Sequence, residues 1–278
     1  MATKRLKDNE LSREPSVKAV LSKLSRKAVG GVVTVHEAAS LLGLERRAAS
    51  ARLAALARRG WLTRVRRGFY YVLPLESGNE PAVAPDPWVL AFRLFEPCYI
   101  GGWSAAEHWG LTEQLFRSTF VVTSANIRER SQTFLRAEFH LVRVRQERLL
   151  KNSTVWRGDV RVPIADRERT IADALVDPTW IGGIRHLIDI LHSYVTEPKK
   201  DFPKIIHTLD HIGHASGIKR LGFLAETLFP EESWLIEAAH ARRSTGVIRL
   251  DPSIKSKGRL SKRWGLWINV SIPLHNNT

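Results

Sequence analysis

One glycine, Gly43, constrains the fold of this chain more than any other residue. Upstream of it, apolar residues at Val35, Ala38, Ala39 and Leu42 recur at helical spacing. Downstream, Leu44 and Glu45 open a second helical run that reaches Arg59 and stops at Gly60. Two helices joined by so short a glycine turn form a helix-turn-helix. An earlier helix carries Val17, Val20, Leu21 and Leu24 on one face and ends before Gly30-Gly31. "VVT" follows as a short extended piece, and Thr34 is placed to cap the next helix. After Gly60, "WLTRVRRGFYYVL" reads as a hairpin, with strands over 61–65 and 69–73 and an Arg67-Gly68 tip. A hairpin directly after a helix-turn-helix makes a winged helix.

Helix geometry sorts the side chains of the second helix. At about 100° per residue, Ala49, Leu53 and Leu56 share a narrow stripe that packs on the preceding helices. Arg47, Ala51, Ala54 and Arg58 lie opposite, with Ser50 beside them. Small residues edged by arginine suit a major-groove helix, because they allow close approach while arginine pairs with guanine O6 and N7. The N-terminal turn of such a helix reads bases, which selects Arg46, Arg47 and Ser50. Arg52 and Arg58 are placed for phosphates. Arg64, Arg66 and Arg67 on the wing are expected to point outward, toward the DNA backbone or minor groove. The charge agrees: the chain carries a net +15, and residues 1–80 hold 16 Lys and Arg against 7 Asp and Glu. A polyanionic partner, double-stranded DNA, is therefore expected at the first third.

The 278 residues, 44% of them apolar, suffice for one large or two ordinary domains. The expected organisation is a flexible basic tail at 1–14, the winged helix at 15–73, a proline-containing linker at 74–87 and a second domain at 88–278. In that domain "STFVVTS" and "AEFHLVRV" read as strands and "STVWRGDVRVPIAD" as a hairpin turning at Arg157-Gly158-Asp159. "DRERTIADALVDP" reads as a helix, four further amphipathic helices follow from Gly182, and "VIRLDPSI" and "RWGLWINVSI" close the chain as strands. The fold class is α+β: an N-terminal winged helix-turn-helix followed by a larger mixed α/β C-terminal domain.

No catalytic, cofactor or metal site emerges from the motifs. The sequence contains no GxxxxGK[ST], GxGxxG, GxSxG, HRD–DFG set or HExxH. His207 and His211 are four apart, His211 and His214 three apart and Asp210 adjacent, a spacing that can hold a metal, but without an HExxH motif they read as solvated or capping histidines. Asp166, Arg169 and Asp173 share one helix face, where Arg169 and Asp173 make an i,i+4 ion pair. A single cysteine forbids an internal disulfide. With a polar N-terminus and no apolar run of membrane-spanning length, a cytoplasmic protein without a membrane role is expected. No heptad pattern marks a dimer helix, so a monomer in solution is expected.

Four stretches resemble the AbiEi-type antitoxins of type IV toxin–antitoxin (abortive-infection) systems, transcriptional regulators of viral defence. "RRGWLTRVRRGFYYV" is similar to that family's wing. "YIGGWSAAEHWGLTEQ" is similar to its Y-hGG-x-SALE-x-HGLTEQ block, with Trp109 inserted between His108 and Gly110. "DRERTIADALVDPTWIGGI" and "IKRLGFLAETLF" are similar to its RT-hhD-hh-x-P-x-x-GG and RLGYLLE blocks. The resemblance implies a winged helix that binds operator inverted repeats and represses its own operon. It also implies a second domain that neutralises a cognate nucleotidyltransferase toxin, for which a stable complex is not required. The positions that match by motif are Gly101, Gly102, Ser104, Glu107, His108, Arg169, Thr170, Asp173, Arg220 and Glu226. Two alternatives remain at this level. One is a DNA-binding regulator with an effector-sensing C-terminal domain, marked by an enclosed pocket. The other is an atypical kinase or nuclease activity, marked by acids converging on a divalent metal.

If about five arginines meet phosphates, the logarithm of DNA affinity falls against log salt with a slope near −4 to −5. A salt titration of duplex binding measures it.

Overall fold

Thr34 and Glu37 start the helix-turn-helix by capping each other. The Glu37 amide donates to Thr34 Oγ1 at 3.1 Å, and the Thr34 amide donates to Glu37 Oε2 at 2.8 Å. Two orphan donors at the helix start are thereby satisfied. The computed structural model describes residues 16–73, 85–149 and 152–272. The expected tail at 1–14 and most of the expected linker lie outside the described residues. The chain divides into two compact units, Met1–Leu94 with Phe134–Arg136, and Phe95–Thr133 with Ala137–Thr278.

In the first unit the order is α1 (Val17–Lys27), β1 (Val32–Thr34), α2 (Val35–Leu42), α3 (Arg46–Arg58), β2 (Leu62–Arg66) and β3 (Phe69–Val72). These are the expected elements with ends shifted by a residue or so, where helices fray. Gly43 adopts φ +63°, and its amide closes the end of α2, as a left-handed cap requires. The three strands form one antiparallel sheet ordered β1-β3-β2. Its core holds the expected helix residues, Val20, Leu21, Leu24, Ala38, Ala49, Leu53 and Leu56, together with Leu62, Tyr70 and Val72 of the hairpin.

One boundary differs from the sequence reading. α4 (Pro87–Phe95) was expected to open the second domain, but through Leu94 it belongs to the first unit. Asp86 caps it as expected, accepting from the Trp88 and Val89 amides at 2.8 and 3.2 Å. Its Arg93 then grips both oxygens of Glu37 at 2.7 and 2.8 Å. A linker composition marks where chain is exposed, not with which core the next helix packs.

The second unit is built on a six-stranded mixed sheet ordered β6-β7-β5-β4-β9-β8. Its strands are β4 (Cys98–Ile100), β5 (Ser118–Thr123), β6 (Ser131–Phe134), β7 (Ala137–Arg143), β8 (Ser153–Arg157) and β9 (Val160–Ile164). Five helices accompany them: α5 (Gly102–His108), α6 (Arg167–Val176), α7 (Ile184–Val195), α8 (Phe202–Ile212) and α9 (Ala215–Leu228), followed by α10 (Ser233–Arg242). α6 is the central helix, buried along its whole length from Glu168 to Leu175. A small sheet of β10 (Ile248–Arg249), β11 (Arg259–Ser261) and β12 (Leu266–Ile268) follows, ordered β10-β12-β11. β6 and β11 were not expected; "SQTF" and "RLS" are too short and polar for a periodic signal.

The β4–α5 turn tolerates only glycine at Gly102. Its φ is +50°, and a Cβ there would lie 2.5 Å from the Trp180 carbonyl and 2.7 Å from the Phe120 ring. Gly102→Ala is expected to cost roughly 1–3 kcal/mol of stability through overpacking and backbone strain. The shift in a urea unfolding midpoint measures this, and an unchanged midpoint would show that the turn relaxes.

Candidate nucleic-acid interface

The second helix of the helix-turn-helix, α3, presents the side chains that its periodicity assigns. Ala49, Leu53 and Leu56 are buried, while Arg46, Arg47, Ser50, Ala51 and Arg58 are exposed. Its N-cap, Glu45, makes no side-chain cap hydrogen bond, so the first amides of the helix remain open at the same end as Arg46 and Arg47. Open amides and the positive end of the helix dipole both favour anionic groups.

The wing continues this surface. Arg67 is exposed at the tip, and the Gly68 carbonyl accepts from the Val35 amide at 3.0 Å, which fixes the tip against the start of α2. A groove of about 540 Å³ runs between α3 and the wing, lined by Ala54, Ala57, Arg58, Leu62, Arg64 and Tyr70. Its floor is apolar and small, and its rim carries two guanidinium groups.

Two arginines depart from the expected placement. Arg66 turns inward: its guanidinium donates to the Leu94 carbonyl and lies 4.3 Å from the centre of the Phe69 ring. Burial lowers its pKa from the usual arginine value. The cause is a register shift between Arg64 and Arg66, after which Arg64 pairs with Tyr70 and Arg66 with Phe69. A bulge breaks strict alternation, so two arginines two apart in sequence no longer share a face. Arg52 is half-buried instead of fully outward.

In the second unit the motif-matched residues fall in separate places. Gly101 and Gly102 form the β4–α5 turn, and the Phe120 amide donates to Ser104 Oγ at 2.9 Å, joining α5 to β5. Glu107 and His108 are exposed at the end of α5; burial first, then Arg157, pushes the His108 pKa down. Trp109 is the helix C-cap, with its indole N–H donating to the Ala165 carbonyl at 2.7 Å. Arg169 and Asp173 do pair, at 3.0 Å, but in the core: Asp173 is fully buried and Arg169 nearly so. Tyr99, which sequence alone does not single out, donates to Asp173 Oδ2 at 2.8 Å and accepts from Arg169 at 3.1 Å. Burial, and then the Asp173 charge, holds the Tyr99 phenol well above its ordinary pKa. Thr170 Oγ1 donates to the Asp166 carbonyl at 2.7 Å.

Arg220 is buried and donates to four carbonyls, those of Leu175, Val176, Arg249 and Leu250, at 2.8–3.0 Å. Burial brings its pKa down to about 10. Glu226 accepts from the Trp264 indole and pairs with Arg263 at 2.6 Å. Among the described residues no three His, Cys, Asp or Glu side chains come together as a metal site would require, and no helix is long and apolar enough to cross a membrane.

With a helix-turn-helix, an arginine-edged second helix and a following hairpin in place, the first unit has the winged-helix fold expected from the sequence. Residues 21–72 match the family described as "Transcriptional regulator, AbiEi antitoxin". Among solved structures the chain is similar to the RV2827C protein from Mycobacterium tuberculosis, with a TM-score of 0.57 and 19% identity over 91% of this chain and 92% of that one. At that identity the likeness is one of fold. Comparison with curated proteins gives no match.

Removing Asp173 leaves Arg169 as an uncompensated buried charge. Asp173→Asn is expected to destabilise the protein by about 3 kcal/mol or more, far beyond the few tenths of an exposed helix pair. Chemical denaturation checks it.

Proposed function

We propose that this protein is the antitoxin of a type IV toxin–antitoxin system. Its winged helix binds inverted repeats in the promoter of its own operon and represses it, in the cytoplasm. Its second unit neutralises a cognate nucleotidyltransferase toxin, which does not require a stable complex. The observation that carries the reading is a set of exposed groups on the first unit: Arg46, Arg47 and Ser50 on an uncapped helix start, and Arg58 and Arg64 lining the groove between that helix and the wing. The family match over 21–72 supports the regulator half of the reading. The motif blocks of the second unit support the antitoxin half.

In this reading Arg46, Arg47 and Ser50 contact base edges. Arg58, Arg64 and Arg67 contact phosphates, with a strand of the DNA backbone seated in the groove between helix and wing. Arg66 has a different task, holding the wing to α4.

The expected result is that Arg46→Ala with Arg47→Ala abolishes repression of a promoter–reporter fusion while growth rescue from the neighbouring toxin gene is retained. Each base-contacting arginine lost costs roughly 1–3 kcal/mol of binding. Arg64→Ala and Arg67→Ala each flatten the salt slope of operator binding by about one unit, whereas Arg66→Ala leaves the slope unchanged. Retained repression in the double variant would sink the base-reading assignment. Failure of the whole chain to rescue growth would sink the antitoxin assignment.

A further inference from the structure

The second unit carries an aromatic array that none of its motif-matched residues explains. Trp103 on α5 donates its indole N–H to the Ser118 carbonyl at 2.7 Å, which fixes the ring. Phe116 stacks on it, with centroids 5.3 Å apart and planes 16° from parallel. Phe120 stands edge-on beneath at 4.6 Å, and His140 of β7 lies 5.1 Å from both Trp103 and Phe120. Phe120 is buried, but Trp103, Phe116 and His140 are only half-buried, so the array rises from the core to the surface. Beside it Leu115 is 85% exposed.

The stretch of chain that follows Phe116 carries charge of one dominant sign. Between residues 117 and 148 the chain holds seven arginines and no lysine, against three glutamates. Arg117 adjoins Phe116 and is exposed. Arg130 is also exposed, and it stands close enough to His140 that, after burial, its charge is the next cause of that ring's lowered pKa. A surface meant only for an apolar protein partner has no need of an arginine beside its rings and another next in the chain to Phe116. A solvated charged surface has no need of a stacked Trp–Phe pair.

We propose that this surface binds single-stranded nucleic acid, with bases stacking on the Phe116–Trp103 pair and the backbone phosphates held by Arg117 and Arg130. Stacked aromatic rings beside guanidinium groups are the general means of holding unpaired strands without sequence preference, because every base has a π-face and every nucleotide a phosphate. Duplex DNA, whose bases are already stacked on one another, cannot use the rings. The site is distinct from the winged helix and is independent of operator reading.

The probe is a fluorescently labelled oligothymidylate, titrated by anisotropy into the full chain carrying Arg46→Ala and Arg47→Ala. The parent chain is titrated with operator duplex as a control. The expected result is saturable, salt-sensitive binding of the single strand that weakens about tenfold with Phe116→Ala and again with Arg117→Glu plus Arg130→Glu. Duplex binding by the parent chain is unaffected by either change. The charge-reversal pair lies on the surface and decides the matter if Phe116→Ala unfolds. Absence of single-strand binding at low salt, or binding that neither variant alters, overturns the proposal. So does intact single-strand binding with lost growth rescue, which would assign the surface to a protein partner.

Discussion

The Glu37 carboxylate holds the winged-helix unit together at two levels. Locally it caps α2, accepting from the Thr34 amide and hydroxyl. Across 56 residues it pairs with Arg93 of α4 through both oxygens. Burial alone would raise its pKa, but the Thr34 and Arg93 hydrogen bonds outweigh burial and hold it below the usual carboxylate range. Such a group is charged in the folded state at neutral pH, and its contribution fades only as pH falls through that lowered value. The same contact that starts the helix-turn-helix therefore also places α4, and α4 in turn receives the Arg66 guanidinium from the wing.

The second unit solves a different problem. Its central helix α6 is buried all round, yet it carries charged residues on the buried side. They are tolerated because each meets partners. Arg169 and Asp173 meet each other and Tyr99. Glu168 accepts from the Tyr194 hydroxyl at 3.0 Å and from Lys204 at 2.9 Å. Arg220 on α9 answers the carbonyls at the end of α6 with its fork of N–H groups. Buried ions of this kind cost desolvation and return it only when their geometry is complete. They therefore specify how α6, α9 and the sheet fit together more than they add to stability. Several residues that match antitoxin motifs sit in this framework, so their substitution acts first on the unit's folding.

Much of this was legible in the sequence. The helix-turn-helix, the Thr34 cap, the Gly43 break, the wing and the buried stripe of α3 all follow from local signals: a cap residue, a left-handed glycine and a 3.6-residue period. So does the exposure of Arg46, Arg47 and Ser50, because a helix turns each residue by a constant angle. The composition of the first third, 16 Lys and Arg against 7 Asp and Glu in residues 1–80, is likewise plain in the sequence.

Tertiary structure decided what depends on residues far apart in the chain. The bulge that turns Arg66 inward arises from pairing with β3, not from the spacing of arginines. α4 through Leu94 belongs to the first unit, where its Arg93 meets a carboxylate 56 residues away. The i,i+4 pair of Arg169 and Asp173 was visible as a pair, but only the sheet that supplies Tyr99 makes it a buried one. The Trp103–Phe116–His140 array joins a helix, a loop and a strand that carry no common motif. Periodicity and capping act within a turn or two of chain and can be read from the residues themselves. Register, burial of charge and the meeting of distant rings are set by which surfaces close on one another, and one sequence does not spell that out.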